Sequence, residues 1–340
     1  MESLILKKNH MKICLTTFIY GNTYQNYIPL ILYSVAKSYP EYHVKIFING
    51  SLRADLRNSL NLIEHYYTNF SIIENHFNDC PGMTPLKAKS LRWVLWDESF
   101  LDYDYLYYID SDILYMREPM ALHEQHINHM KFINSDCVSN IMRKKEIRNS
   151  DLFLYLSVIK YGGISSLLRY PFNKFEYRMS GLHFVKVSSY FKYLTVEKLE
   201  WYREKIYNGK AFNGLLYPND ETLLYYMMKE SGCNVSNFAI QQSSSSMFDF
   251  NNPYKKEFCP HHGIHLGIFR VPNYQNIEWT KEQLDSEDYL YYRNIFQQEW
   301  LSDIDFHSLY PLLPYEIQKT FKDLINYYNI SSTLISKIND

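Results

Sequence analysis

The alternation of short apolar runs with segments of helical periodicity is the feature of this chain that most constrains its fold. Residues 12–18 and 43–48 have the composition of buried strands, and residues 24–38 between them carry apolar side chains at helical spacing until Pro40. Helices between successive strands are typical of βαβ units around a mostly parallel sheet. We therefore predict an α/β protein with a Rossmann-like sheet flanked by helices.

The same periodicities predict further elements along the chain. They are helix 54–64, strand 70–74, helix 85–96, strand 105–109, strand 131–134, helix 152–160, strand 182–187 and helix 219–229. Asn219 or Asp220 suits the N-cap of the last of these helices. From about residue 279 to residue 340 the pattern is helical and amphipathic, which predicts a helical C-terminal appendage.

Charge and cysteine usage exclude several functional classes. The 340 residues carry a formal net charge of -2 and their basic residues are spread along the chain, so we predict no nucleic-acid partner. The five cysteines are widely spaced and include no CxxC pair, which argues against a disulfide framework or a structural zinc site and favours a reducing cytosol. No stretch approaches the roughly 20 apolar residues that a membrane span needs.

Three histidines, His123, His126 and His129, recur at every third position of a segment with a helical pattern. The zinc-protease helix has its two histidines four residues apart with a glutamate between them. Because the spacing here is three, we interpret these histidines as a solvated helix face.

An acidic triplet, Asp110-Ser111-Asp112, follows the apolar strand predicted at residues 105–109. Ligands of open α/β sheets bind beyond the carboxyl ends of the strands, so two carboxylates at this position can face one bound group. Carboxylate oxygens are hard ligands that suit Mn²⁺ or Mg²⁺. We predict that Asp112 binds a divalent metal and that Asp110 binds the metal or a ribose.

The sequence around this triplet resembles a known family. Residues 89–92 (KSLR) and 104–114 (DYLYYIDSDIL) are similar to a block of the GT-A glycosyltransferases, most of all to the group of glycogenin and the bacterial lipopolysaccharide galactosyltransferases. In that group an arginine on the helix before the motif strand helps to hold the nucleotide, which implies this role for Arg92, with Lys89 as the second choice. The resemblance also places the base and ribose of the nucleotide against Thr16, Thr17 and Tyr20, at the first strand, and the nucleotide against Ser111.

Two later segments resemble elements that face the donor sugar in the same family. Residues 178–183 (RMSGLH) are similar to a segment in which a glycine lets the backbone approach the sugar, which implies that role for Gly181. Residues 219–224 (NDETLL) are similar to a segment that presents an acidic or amide side chain to the sugar. The resemblance therefore implies that Asp220 and Glu221 are catalytic, while a helix cap explains Asp220 equally well.

Residues 259–270 (CPHHGIHLGIFR) resemble the family segment whose histidine completes the metal site and whose lysine binds the diphosphate. The spacing departs from the family, since His262 lacks a glycine three residues later and His265 has one two residues later. His265 is favoured as the metal ligand and His262 is the alternative. Arg270 replaces the lysine, with a planar fork of donors in place of a point charge.

The resemblance implies a GT-A enzyme that uses Mn²⁺ or Mg²⁺ to move a hexose from a UDP-sugar to a glycan or glycolipid, as in surface polysaccharide biosynthesis. We expect a catalytic domain over residues 1–270, with a nucleotide-binding half at 11–115 and an acceptor half at 116–270, and a helical subdomain at 271–340. A cytoplasmic protein is expected, and the helical tail could serve acceptor docking, a homodimer or peripheral contact with the inner face of the membrane. The alternatives are a nucleotidyltransferase of the same fold, which the single glycine after the first strand disfavours, and a non-catalytic glycan-binding protein.

Overall fold

The computed structural model of the chain describes residues 11–146, 156, 159–160, 175–213, 215, 219–235 and 262–330. Its strands are β1 (Ile13–Ile19), β2 (His43–Ile48), β3 (Phe70–Ile73), β4 (Tyr105–Tyr108), β5 (Ile113–Tyr115), β6 (Cys137–Glu146), β7 (Phe175–Lys186) and β8 (Gly263–His265). Its α-helices are α1 (Asn22–Gln25), α2 (Ile28–Ser38), α3 (Arg57–Glu64), α4 (Pro85–Leu91), α5 (Leu122–Ile133), α6 (Val187–Tyr193), α7 (Val196–Tyr207), α8 (Asp220–Glu230), α9 (Glu278–Leu284), α10 (Glu287–Ile295), α11 (Ile304–Leu309) and α12 (Tyr315–Tyr327).

Within these residues a six-stranded sheet forms the centre of the fold, in the order β3-β2-β1-β4-β7-β6. The first four of these strands are parallel to one another, β7 runs antiparallel to β4, and the edge strand β6 runs antiparallel to β7. Every residue of β1 is buried, as expected for a central strand that is covered on both faces. The predicted α/β fold, a mostly parallel sheet flanked by helices, is confirmed.

A second, two-stranded sheet pairs β5 with β8 in antiparallel register. Its two strands are far apart in the sequence, and each has three residues. Gly263 permits this pairing, because a Cβ atom at that position would lie only 2.1 Å from the carbonyl oxygen of Leu114. The pairing therefore fixes the segment around residue 265 beside the end of β4.

The C-terminal helices pack against the face of α2. Tyr33 of α2 contacts Trp300, with ring centroids 4.9 Å apart, and also contacts Phe306 at 5.5 Å. Lys37 adds an ion pair to Asp305, with the two atoms 3.0 Å apart. The predicted helical C-terminal part is thus present and shares a core with the first half of the sheet. No helix within the described ranges is both long and apolar enough to cross a bilayer.

Three expectations about local structure are wrong or fall outside the described residues. The strand predicted at 131–134 is the last turn of α5 and its cap, where Asn134 takes a left-handed conformation. The solvated histidine face is also wrong, since α5 turns His126 and His129 into the protein, where both are almost fully buried. The helix predicted at 152–160 lies mostly outside the described residues.

Candidate functional site

The acidic triplet lies at the carboxyl end of β4, where the sequence places it. Hydrogen bonding between β1 and β4 extends one residue past the strand, from the Ile109 amide to the carbonyl of Thr16 at 2.9 Å. The chain then turns through Asp110, Ser111 and Asp112 into β5. Both carboxylates therefore lie at the sheet edge where ligands of this architecture bind.

The small β5–β8 sheet brings a distant segment against Asp112. Ile113 pairs with His265, and the Leu266 amide donates to the carbonyl of Asp112 at 2.9 Å. As a result the imidazole Nε2 of His265 lies 3.5 Å from Oδ2 of Asp112. The guanidinium of Arg270 donates to the same oxygen at 2.5 Å. One carboxylate oxygen thus faces both a histidine and an arginine.

Gly267 leaves the space in which these three side chains meet. A Cβ atom at this position would lie 2.5 Å from Oδ2 of Asp112, 2.7 Å from Nε2 of His265 and 3.2 Å from Nη2 of Arg270. Real Cβ atoms do not approach other atoms so closely. Glycine at 267 therefore keeps the space beside the carboxylate and the imidazole open.

The other carboxylate of the triplet belongs to a separate ion-pair group. Arg92, in the 3₁₀ turn after α4, donates to Asp110 and also lies 3.3 Å from Oδ2 of Asp220 at the start of α8. The guanidinium stacks on Trp93, with its carbon 4.0 Å from the ring centroid. Arg92 is therefore held by two carboxylates and one aromatic ring, and its side chain is about nine-tenths buried.

A second arginine–carboxylate pair lies beside the first. Nη1 of Arg178 in β7 lies 3.6 Å from Oε2 of Glu221 in the first turn of α8. Gly181, three residues further along β7, has a φ of 73°, a left-handed conformation that a glycine adopts without strain. Asn219 caps α8, because its side chain accepts from the Thr222 amide at 2.7 Å. Asp220 is therefore free of the cap role and available to Arg92.

The charges of these groups shift their protonation. Burial alone would raise the pKa of Asp112, but His265 and Arg270 outweigh it, and the pKa of this carboxyl lies well below its ordinary value. Burial disfavours protonation of His265, yet the charge of Asp112 prevails and the pKa of the imidazole is raised. Burial also raises the pKa of Asp220, and the positive charge of Arg92 opposes it. Asp112 is thus ionised, and its interactions with His265 and Arg270 stabilise that charge.

The donor set at Asp112 fits a divalent cation in its chemistry. A carboxylate oxygen, which suits manganese and magnesium, lies beside an imidazole nitrogen, which is a ligand of first-row transition metals. Within the described ranges no three histidine, cysteine or carboxylate side chains form a ready metal-binding group. Asp110 is directed to Arg92, so Asp112 and His265 are the pair that would hold the ion.

Other residues predicted for the site lie elsewhere or on its margin. His262 does not face Asp112, because its Nδ1 lies 2.7 Å from Oε1 of the buried Glu118. Thr17 is buried within β1, and Lys89 is exposed on α4. The Tyr20 hydroxyl donates to the carbonyl of Met83 at 3.5 Å.

Glu118 is a centre of contacts that the sequence did not indicate. It also accepts from the hydroxyl of Tyr292 in α10 at 2.6 Å and from the side-chain amide of Gln125. The neighbouring Tyr289 accepts from the His265 amide at 3.1 Å. Two tyrosines of α10 therefore hold the segment that carries His265. Sequence reasoning also missed Tyr24 and Tyr27, whose rings each lie 5.1 Å from the guanidinium carbon of Arg270.

Comparison with known proteins gives similarity in structure only. No protein-family model matches the chain, and no curated protein is significantly similar to it. Core-mannan synthase A from Aspergillus fumigatus, in its manganese and GDP form, is similar over 65% of this chain and 70% of its own, with 8% identity and a TM-score of 0.37. The galactosyltransferase LgtC is similar over 59% of this chain and 71% of its own, with 14% identity and a TM-score of 0.30.

The glycosyltransferase WbbM, a bifunctional enzyme, is similar over 60% of this chain and 38% of its own, with 14% identity and a TM-score of 0.32. These solved structures are glycosyltransferases, the class that the sequence resemblance indicated. At such identities and TM-scores they assign no activity, substrate or metal to this chain.

Proposed function

We propose that this chain is a metal-dependent glycosyltransferase that moves a hexose from a UDP-sugar to a glycan or glycolipid acceptor. The observation that carries the proposal is the meeting of Asp112, His265 and Arg270 at the carboxyl end of β4. Sugar transfer from a nucleotide diphosphate needs the negative charge of the departing diphosphate to be stabilised, and cationic groups fixed at a sheet edge supply this.

In this proposal Asp112 and His265 hold Mn²⁺ or Mg²⁺, and His262 remains with Glu118. When bound, the ion supplies Lewis-acid stabilisation of the diphosphate. Arg270 then donates to a diphosphate oxygen in place of Asp112, since one guanidinium fork suits either partner. Asp110, Ser111 and Arg92 are proposed to contact the nucleotide from the other side. Thr17, Tyr20 and Lys89 are proposed as further contacts of the nucleotide.

The donor sugar is proposed to lie toward the start of α8. Asp220 and Glu221 project from that helix terminus, and each is paired with an arginine of its own, Arg92 and Arg178. These pairs fix the two carboxylates, so that they can accept hydrogen bonds from sugar hydroxyls without reorganising. Gly181 is proposed to let the backbone of β7 approach the sugar.

A donor-hydrolysis assay tests the proposal. Purified protein with Mn²⁺ is given UDP-, GDP- and CMP-sugars, and release of free nucleotide is measured. We expect UDP release that falls about a hundredfold or more in Asp112→Asn. The matched control is Asp102→Asn, an exposed carboxylate just before β4 at the opposite end of the same strand, which should keep wild-type activity.

The other outcomes of this assay would change either the donor or the function that we propose. Release of GDP alone would retain the enzyme class and correct the donor. Pyrophosphate formed from a nucleoside triphosphate and a sugar phosphate would identify a nucleotidyltransferase. If no nucleotide is released from any donor and the protein still binds a glycan, it is a non-catalytic binding protein.

A further inference from the structure

Two cysteines that the proposed activity does not use lie against each other inside the protein. Sγ of Cys137 and Sγ of Cys233 are 3.1 Å apart, although the residues are 96 positions apart in the sequence. A disulfide bond is about 2.05 Å long, so the two sulfurs need to approach by only about 1 Å to bond. Both are free thiols in this structure.

Each thiol is carried by a rigid element. Cys137 is the first residue of β6 and pairs with Val185 in the central sheet. Cys233 follows the end of α8, where Gly232 takes a φ of 89° and the Cys233 amide donates to the carbonyl of Met228 at 3.0 Å. This is the hydrogen-bonding pattern of a helix C-cap, which fixes the backbone at that point. The short distance between the sulfurs therefore follows from the backbone of two ordered elements.

Hydrogen bonds of neighbouring residues also hold the Cys137 and Cys233 segments together. Asn234 donates from its side chain to the carbonyl of Asn134 at 2.9 Å, which joins the two segments a second time. The Ser135 hydroxyl lies 3.8 Å from the Cys137 sulfur and 3.9 Å from the Cys233 sulfur. Hydrogen bonds from the Cys137 thiol and the Ser135 hydroxyl hold the pKa of Cys233 below its ordinary value, so Cys233 is the better nucleophile of the two.

We propose that Cys137 and Cys233 are a redox modification site that closes to a reversible disulfide between the C-terminal end of α8 and the first residue of β6. The reactant is a small hydroperoxide such as hydrogen peroxide, which suits thiols that are almost fully buried. Cys233 loses its S–H proton, the thiolate attacks a peroxide oxygen and the O–O bond breaks, and the departing hydroxide takes up that proton as the first water, so that Cys233 becomes a sulfenic acid. The Cys137 sulfur then attacks the Cys233 sulfur, its S–H proton goes to the departing hydroxide, and water leaves. Two thiols and one hydrogen peroxide thus give one disulfide and two waters, and an external dithiol reverses the step.

The bond would tether the helix that carries Asp220 and Glu221 at its other end. Closing a loop of about a hundred residues restricts the unfolded chain, so the oxidised protein should unfold about 5 °C higher than the reduced protein. The site is independent of the proposed transferase activity, because neither sulfur contacts the carboxylates of the triplet in the described structure.

Peptide mapping of the full chain tests this inference. The reduced protein is treated with hydrogen peroxide, its remaining thiols are blocked with N-ethylmaleimide, and it is digested without reductant. We expect one cross-linked species that joins the peptides of Cys137 and Cys233, about 2 Da lighter than the sum of the two. Dithiothreitol should separate them. Cys80→Ser should leave the cross-link intact, and Cys233→Ser should remove both the cross-link and the rise in unfolding temperature.

The decisive measurement is made on the wild-type protein, so a variant that fails to fold does not affect it. Complete blocking of both thiols after peroxide would overturn the inference. Sulfinic acid at Cys233 without a cross-link would do the same, as would a cross-link from either cysteine to Cys80 or Cys259.

Discussion

A single methyl group at Gly267 should separate metal binding from folding. In Gly267→Ala the added carbon would lie 2.5 Å from Oδ2 of Asp112 and 2.7 Å from Nε2 of His265. Ordinary contacts of a carbon atom are roughly 3.5 Å, so each of these atoms must withdraw by about 1 Å or the turn itself must shift. The two proposed metal ligands would then be pushed apart by the group that enters between them.

The two effects of this substitution differ in size. The atoms that must move are ends of side chains, so we expect a loss of about 1 kcal/mol of folding free energy, at the low end of overpacking costs. A displacement of about 1 Å in a ligand or catalytic group can cost on the order of a hundredfold in activity. We therefore expect the affinity for Mn²⁺ to fall at least about tenfold and kcat/KM to fall further.

Calorimetric titration of Mn²⁺ with UDP present, together with urea unfolding, measures both quantities. Gly209→Ala is the matched control, because Gly209 has a φ of 69° and no atom lies within 4 Å of the position that a Cβ would take there. The added methyl strains the backbone by roughly 1–2 kcal/mol and touches nothing. The control should lose stability and keep its metal affinity. Wild-type Mn²⁺ affinity in Gly267→Ala would refute the joint coordination by Asp112 and His265.

Three other substitutions probe the surroundings of the site. Arg92→Lys should lower kcat/KM about ten- to a hundredfold, because an ammonium group cannot face Asp110 and Asp220 together as the guanidinium does; unchanged steady-state kinetics would count against the shared ion pair. Glu118→Ala should cost about 3–5 kcal/mol in urea unfolding, since it leaves buried partners without an acceptor, and a loss below 1 kcal/mol would contradict this. Burial lowers the pKa of His183 from 6.5 to about 3, so the folded protein holds this ring neutral. Above pH 6.5 this shift does not change the stability, because the ring is neutral in both the folded and the unfolded state. As the pH falls below 6.5 only the unfolded state takes up the proton, so the free energy of unfolding falls by about 1.4 kcal/mol per pH unit between pH 6 and 4. The slope of unfolding free energy against pH should be shallower by that amount in His183→Asn, and equal slopes would reject the assignment.

Much of the central sheet could be predicted because its signals are local. β1 and β2 are rich in apolar residues, and the acidic triplet begins two residues after the end of β4, so a general rule for ligand sites in open sheets places it at the carboxyl edge of the sheet. The sequence predicts Asn219 or Asp220 as the N-cap of α8, and Asn219 is the residue that caps it. These elements could be predicted because the residues that decide them lie within a few positions of one another.

Predictions failed where a contact between distant segments decides the outcome. Phe132 and Ile133 have a composition that suits a strand, yet α5 continues through them until Asn134 turns left-handed. His126 and His129 are buried because that side of α5 packs inward, and the spacing of residues in a sequence does not show which face of a helix is covered.

In the candidate site, too, the parts that could not be predicted depend on contacts between distant segments. His265 meets Asp112 through a pair of three-residue strands, each too short to give a periodic signal. His262 and His265 were both candidates, and only the tertiary position of Glu118 separates them. The roles of these residues in metal and nucleotide binding remain predictions.

The contacts of α10 bear on how freely this chain could be rearranged. Tyr289 accepts a hydrogen bond from the His265 amide, and Tyr292 donates to Glu118, which also contacts His262. A helix that begins more than 150 residues after β5 therefore helps to position the imidazole at the carboxyl end of β4. The part of the chain after residue 270 is therefore not an interchangeable module. If the residues after 270 are replaced by the tail of another protein, the parallel strands should still form, but the imidazole of His265 should be displaced. The imidazole should keep its position only if the new tail also carries tyrosines at positions 289 and 292.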